Sequence, residues 1–452
     1  GLCRVFSEGR DIDTDYLTGY FRYIDYRKTP DKRIIKLLPG HYLRFSEKGT
    51  AVTRYWKPEQ IRTDKTLVFD QVLNDLKIIL ADAVRIRCDN RFTAGAHVSS
   101  GLDSGVVSTL ARQSYPRQGD FPGFSWSPGN FSAGDVKYDE RELVIKSCGN
   151  AGIRPVFSDI KDLDFRAIVS RFYSNQGSFA EERTVEQAVE DGVNLIFSGW
   201  GGDEFISTGD RGIETDLLRG LQLRIFFRRN NIRRPKRFIK DLLLYVVYPA
   251  VGILGKKTAG SFRDDARYLR PRFKRSDGRA LRNFYFHTSR RELHLRLLQF
   301  YHLQGRCESW AVNGFRKGVE YRYPLLDRRI IEYMIRVPSV LLCKTGQFRP
   351  ILRAISEGIL PEEVRGQMFK SDPVYRNYMT GMFREAALTF MDEQDKWKTN
   401  PDMQFIDFEL LSEDIRKFRE NSEDVNARVL FRALVYIKAI HEFTVAYRRK
   451  EV

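Results

Sequence analysis

Two short segments rich in small and acidic residues carry whatever chemistry this chain performs. The first is Ser99-Ser100-Gly101-Leu102-Asp103-Ser104. Small residues let the backbone wrap an anion, and a helix starting there offers unpaired N–H groups and the positive end of its dipole. A carboxylate beside a polyphosphate repels it unless a divalent cation lies between, so Asp103 reads as a Mg2+ ligand. The segment is not the lysine-bearing phosphate loop, because no Gly-Lys-Ser/Thr follows, and its glycine spacing is not that of the dinucleotide fingerprint. Taken alone it reads better as a helix cap with no ligand. The second segment, Phe197-Ser198-Gly199-Trp200-Gly201-Gly202-Asp203-Glu204, repeats the pattern and supplies Asp203 as a second carboxylate. Two acids on separate loops around one magnesium polyphosphate outline a phosphoryl or nucleotidyl transfer site.

For the two loops to meet, each must leave the carboxyl end of a buried strand in one sheet. Thr93 to Val98 reads as such a strand, followed by the first loop and a helix from Gly105 to Arg112. Phe121 to Trp126 and Arg154 to Phe157 read as strands flanking a helix from Glu140 to Cys148, and Val193 to Phe197 leads into the second loop. Ahead of them, Val68, Val72, Leu73, Leu76, Ile79, Leu80 and Val84 recur at helical spacing between Leu67 and Arg87. Strands alternating with helices predict an α/β fold, a doubly wound parallel sheet covered on both faces. Beyond Asp210 the pattern turns almost wholly helical, giving a large helical C-terminal half without internal repeats. Residues 1–60 read as short strands and turns, a β-rich piece too small to stand alone, with 61–452 as the main domain.

Composition sets outer limits. A chain of 452 residues, 42% hydrophobic and 13% aromatic, is globular rather than disordered. The longest apolar run, Leu242 to Leu254, is broken by Pro249 and Gly252 and falls short of the roughly 20 residues a membrane helix needs. Cys3, Cys88, Cys148, Cys307 and Cys343 are too few and too scattered for a disulfide framework or zinc site, which suits a reducing cytoplasm. The formal net charge of +17 favours an acidic or polyanionic partner. Much of it lies between Arg224 and Arg275, where a solvated helical face, an acidic peptide, partner proteins and peripheral contact with a membrane surface all remain open.

The two loops resemble the SGGxDS and SGxGxDE motifs of the asparagine synthetase family. Gly318-Val319-Glu320-Tyr321-Arg322-Tyr323-Pro324-Leu325-Leu326-Asp327 resembles its third signature, and Arg349-Pro350-Ile351-Leu352-Arg353 with Leu360-Pro361 its fourth. The four motifs stand in the family's order over about residues 65–375. The resemblance implies a sheet of the ATP-pyrophosphatase type, with ATP and Mg2+ as cofactors. Leu38-Pro39-Gly40-His41 and Tyr55-Trp56 are similar to the tail of the glutaminase-like domain that precedes the synthetase domain, so 1–60 is expected to be a remnant of it.

Three departures bear on which member this is. The glutamine-using members expose an N-terminal cysteine as nucleophile; here Cys3 lies behind Gly1 and Leu2, and glutaminase activity is not expected of the chain as given. Trp200 stands where asparagine-forming members carry a glutamate and β-lactam-forming members a tyrosine. An indole is neither base nor ammonia ligand, but its face stacks on a peptide or adenylate. The SGWGGDE form, with Tyr323-Pro324-Leu325-Leu326-Asp327 and Cys307-Glu308-Ser309-Trp310, resembles lasso-peptide macrolactam synthetases, the cyclases that join a peptide's α-amine to an internal Asp or Glu. The third departure surrounds Lys370, at the place of the family's catalytic lysine, where the arginine usually ahead of it is replaced around Gln367 and Met368.

The resemblance implies that a carboxylate attacks the α-phosphate of ATP, that pyrophosphate leaves, and that an amine then displaces AMP. It assigns Ser99, Ser100, Gly101, Ser104, Ser198 and Gly199 to the nucleotide, with Ser125 and Trp126 at the adenine slot. Asp103 and Asp203 fall to the metal, and Lys370, Glu308 and Trp200 to catalysis. Glu308 is a candidate base, against a salt bridge with Arg306 or Arg322, while Glu320 and Arg322 are expected to organise the helical half and Asp327 to cap a helix from Arg328. The expected partners are a precursor or leader-free core peptide, a leader peptidase and a leader-binding protein, with no nucleic acid. The rivals are asparagine or β-lactam formation on a small amino acid, a nucleic-acid-modifying relative, and a non-catalytic binding protein on the same scaffold, since Ser100 replaces a loop glycine.

Overall fold

The structure, a computed structural model, describes residues 11–22, 24–116, 118–130, 139–159, 162–170, 179–208, 211–230, 235–253, 264–274, 287–300, 303–343, 348–367 and 372–449. Strands β1 (His41–Ser46) and β2 (Gly49–Arg54) make an antiparallel hairpin with no buried side chain, held by its ladder rather than by a core. Helix α1 (Phe69–Arg85) buries Val72, Leu76, Leu80, Ala83 and Val84 along one side, as their spacing demands. Val68, expected on that face, stays exposed just before the first turn.

Then follow β3 (Ala94–His97), α2 (Leu102–Ser114), β4 (Pro122–Pro128), α3 (Glu140–Ala151), β5 (Arg154–Ser158), α4 (Phe179–Glu190) and β6 (Leu195–Phe197). Local chemistry fixes the ends of α3. The Asp139 carboxylate accepts the Arg141 N–H at 2.9 Å, and Gly152 takes the left-handed conformation that stops the helix. With β7 (Glu320–Arg322) the strands form one five-stranded sheet in the order β5-β4-β3-β6-β7, parallel at every pairing. From β3 the chain winds outward to β5, then returns across the sheet to lay β6 on the other side of β3. The order therefore reverses between β3 and β6, the place where a doubly wound sheet opens a crevice at its carboxyl edge.

Some elements depart from the sequence reading. A helix at Asp162–Ser170 and helix α4, where none was expected, make the return crossover. Strand β7 lies inside the half read as helical; three residues are too few for alternation to show, and the free edge of β6 fixes it, with the Ser198 N–H bound to the Arg322 carbonyl at 2.9 Å.

The rest is helical: α5 (Arg290–Phe300), α6 (Leu303–Arg316), α7 (Arg328–Arg336), α8 (Pro350–Ile355), α9 (Pro373–Phe390), α10 (Phe408–Glu420) and α11 (Ala427–Arg448). Asp327 caps α7 as expected, accepting the Arg329 N–H at 2.9 Å. One core joins the sheet to α1, α2, α7 and α8. A second joins α9, α10 and α11, and Tyr16, Leu17 and Phe21 pack into it; the Tyr447 hydroxyl also donates to Asp31. Among the described residues no helix is long and apolar enough to cross a membrane.

Candidate active site

The two loops leave β3 and β6, which are neighbours, so they meet. A Cβ at Gly199 would stand 2.6 Å from the Ser104 nitrogen, and one at Gly202 1.8 Å from Asp103 Oδ1. Glycine is thus needed for the second loop to press onto the first. Within the first loop Ser99 and Ser104 share a hydroxyl hydrogen bond of 2.7 Å, and the Ser100 N–H donates to Glu140 at 2.7 Å, tying the turn to α3.

Asp103 and Asp203 converge on a cation already in the chain. Arg349 donates through Nη1 to Asp103 Oδ2 at 2.9 Å and through Nη2 to Asp203 Oδ1. The Ser207 hydroxyl donates to the other oxygen of Asp103 at 2.6 Å. Arg349 has φ +56° immediately before Pro350, a left-handed conformation that an arginine preceding proline rarely adopts and that costs about 1–3 kcal/mol. Burial and Asp203 push the Asp103 carboxyl up to about 6, opposed by Arg349 and Ser207. Next to them Glu204 is buried, and one of its oxygens, Oε2, has no hydrogen-bond partner among the described residues. Burial, then Asp203, hold it up at about 7.

The carboxylates fit a divalent cation. Two acids reach one positive centre from separate loops, the arrangement that suits Mg2+ shared with phosphate oxygens and water. Among the described residues no three His, Cys, Asp or Glu side chains gather into an all-protein cage.

Around the loops lies one cavity of about 1190 Å³. Its floor is aromatic. Arg306 stacks over Trp200 at 4.3 Å from the ring centroid and lies 5.4 Å from that of Trp310. Beneath them the fully buried Glu181 accepts hydrogen bonds from His97 at 3.0 Å, from Trp126 at 3.1 Å and from the Tyr321 hydroxyl. That carboxylate fixes three rings at once. A family model described as asparagine synthase matches residues 75–440, a span that contains both loops and the whole sheet. The chain belongs to the asparagine synthase family.

Two Bacillus subtilis (strain 168) proteins are similar to this asparagine synthase family chain. The glutamine-hydrolyzing asparagine synthetase 1 is 22% identical over 421 residues, covering 85% of this chain and 62% of that protein. The glutamine-hydrolyzing asparagine synthetase 3 is 29% identical over 117 residues, covering 26% and 17% respectively. The chain thus spans less than two thirds of the length of either.

Of the residues singled out from sequence, Ser99, Ser100, Gly101, Asp103, Ser104, Ser125, Trp126, Ser198, Gly199, Trp200 and Asp203 all line this one cavity. Glu308 does not; its half-exposed carboxylate pairs with Lys36 rather than with Arg306 or Arg322. Lys370 and Cys3 lie outside the described residues, while Gln367 and Asp372, near Lys370 in sequence, both line the cavity. Arg322 donates to the Arg87 carbonyl and to Glu320 at 2.7 Å, an organising role. Sequence reasoning passed over Glu204, Ser207, Arg306 and Arg349. Glu204 stood in the second motif, next to Asp203, but nothing in the sequence shows that it is buried; Arg349 stood in the fourth, but its distant partners are set by the fold.

Proposed function

We propose that this chain adenylates a side-chain carboxylate of a precursor peptide and closes a macrolactam on the peptide's N-terminal amine, releasing AMP and pyrophosphate. The observation that carries the reading is the cavity. At about 1190 Å³ it exceeds the roughly 300–1,000 Å³ of an ordinary small-ligand site, and it runs from the two loops to α9, α10 and α11. ATP takes up part of that room in either reading; the remainder, reaching α9, α10 and α11, suits a folded peptide better than it suits aspartate.

Mg2+, when bound, neutralises polyphosphate charge and favours departure of pyrophosphate. Asp103 and Asp203 would hold it, and Ser99, Gly101 and Ser104 would cradle the phosphates. Trp200, braced by Arg306, offers a flat face against which the peptide and its activated carboxyl rest. We assign the amine's proton to Glu204 rather than Glu308, because Glu204 lines the cavity with an unpartnered oxygen whereas Glu308 pairs with Lys36 outside it. Both reacting groups belong to one peptide, so much of the rate comes from holding them in a near-attack shape. The reading brings a leader peptidase and a leader-binding protein as partners.

A second reading, amide formation on a small amino acid, draws on the names of the two relatives. One assay separates them: AMP and pyrophosphate release with Mg-ATP and a leader-free peptide bearing an internal Asp or Glu, against aspartate with an ammonia source. The expected outcome is peptide-dependent AMP and a product lighter by one water in mass spectrometry. AMP formed only with aspartate and ammonia would refute the cyclase.

A further inference from the structure

The half of the cavity away from the loops has its own chemistry. Helix α9 turns Tyr375, Arg376, Met379, Thr380, Phe383 and Arg384 toward it, a stripe in which aromatic or thioether side chains are followed by polar or cationic ones at each turn. Helix α11 adds Arg428, Phe431 and Arg432 at the same spacing, and Phe418 of α10 closes the side with its ring edge-on to Phe431 at 5.3 Å. Among the described residues the lining between Tyr375 and Arg432 carries arginines from α9 and α11 and no carboxylate. Arg432 is held by Asp265, whereas Arg384 and Arg428 are exposed and have neither an ion pair nor a hydrogen bond among the described residues. The stack of Trp126 on Tyr375, 6.3 Å between centroids, marks where this half joins the nucleotide half.

Guanidinium groups grip carboxylates through two parallel hydrogen bonds, and rings spaced one turn apart take up apolar side chains between them. A nucleotide lying on the two loops has its phosphates there, leaving these arginines to another anion. We propose that the outer half of the cavity binds a peptide segment carrying carboxylates between apolar side chains, gripped by Arg384 and Arg428 and packed on Phe383 and Phe431. These are carboxylates other than the one that is activated. The proposal rests on the ligase reading only for the peptide's fate as acyl donor; binding stands apart from it. A pocket shared with the nucleotide, rather than an open groove tracking a backbone, favours a peptide over single-stranded nucleic acid.

The test is fluorescence anisotropy of the whole chain, without ATP, using a labelled synthetic peptide that alternates Glu with Phe and Leu and a counterpart with Lys in place of Glu. The acidic peptide should bind, less tightly as salt rises, and the basic one should not. Arg384→Gln with Arg428→Gln should weaken binding about tenfold, and Lys at both positions should restore part of it, with Mg-ATP binding and melting temperature unchanged throughout. Asp103→Asn should lose Mg-dependent nucleotide binding and keep the peptide. Equal binding of both peptides, no binding of either, a double variant indistinguishable from the wild type, or a single-stranded oligonucleotide of equal charge binding more tightly would each overturn the proposal. Selective binding of the acidic peptide without AMP release from any peptide would instead refute the ligase reading and leave the site standing.

Discussion

Arg349 shows how a single side chain ties the two loops of this site together. Its guanidinium lies between two carboxylates that repel each other, and it accepts an unfavourable backbone conformation to do so. Removing it leaves Asp103 buried beside Asp203 with no ion-pair partner among the described residues. Arg349→Gln should therefore destabilise the chain by about 1–2 kcal/mol, a figure discounted because Asp203 is more than half exposed. The loss should shrink when Mg2+ supplies the missing charge. Thermal melts in EDTA and in Mg2+ check this; an equal loss in both would show that Arg349 acts through packing rather than charge. Trp200 and Glu204 make the complementary point. Their residue types suggest a stacking surface and a proton acceptor, and it is their burial and neighbours that favour those roles in the proposed reaction.

At the scale of elements, β7 and α7 are set by a clasp around Asp327. Its carboxylate caps α7 and accepts from Arg329 at 3.0 Å and from Arg87, at the end of α1, at 2.8 Å. Burial works to raise its pKa, but the arginine hydrogen bonds outweigh that and hold it down at about 2. A carboxylate whose folded pKa is depressed contributes stability above its unfolded value near 4, and that contribution is lost as pH falls through about 2. Asp327→Asn keeps a capping oxygen and loses the charge; Asp327→Ala loses both. Urea unfolding should show the alanine variant less stable by about 2 kcal/mol and the asparagine variant intermediate. Equal losses would mean that the cap contributes nothing. The cap itself was legible in the sequence, because Asp before a basic and apolar run is a local signal. Its arginine partner just past the end of α1 was not, since Arg87 lies 240 positions away.

Over the whole molecule, two buried histidines should make the fold less stable in acid. His287 is buried, and burial, then Arg211, lower its pKa to about 4. His294 on α5 is also fully buried and lowered well below its ordinary value by burial and by Arg290. An imidazole with a lowered folded pKa must stay neutral in the native state, so its stabilising contribution is complete above about 6.5 and declines as pH falls toward 4. The melting temperature should drop through that window. In His287→Asn the drop should be shallower, and an unchanged slope would assign it to other groups.

What the sequence by itself determined was local and periodic. Glycines, serines and acids at fixed spacing marked both loops, helical spacing marked α1, and buried apolar runs marked the strands beneath the loops. What only the tertiary structure decided was adjacency. That β6 lies beside β3 depends on a crossover through α4, which no local pattern announced. The same holds for Arg349 reaching two aspartates, for Glu308 turning to Lys36 and away from the cavity, and for the arginines of α9 and α11 facing one space. Spacing along a chain fixes which side chains share a strand or a helix face, but contacts between distant segments are chosen by the packing of all the elements together.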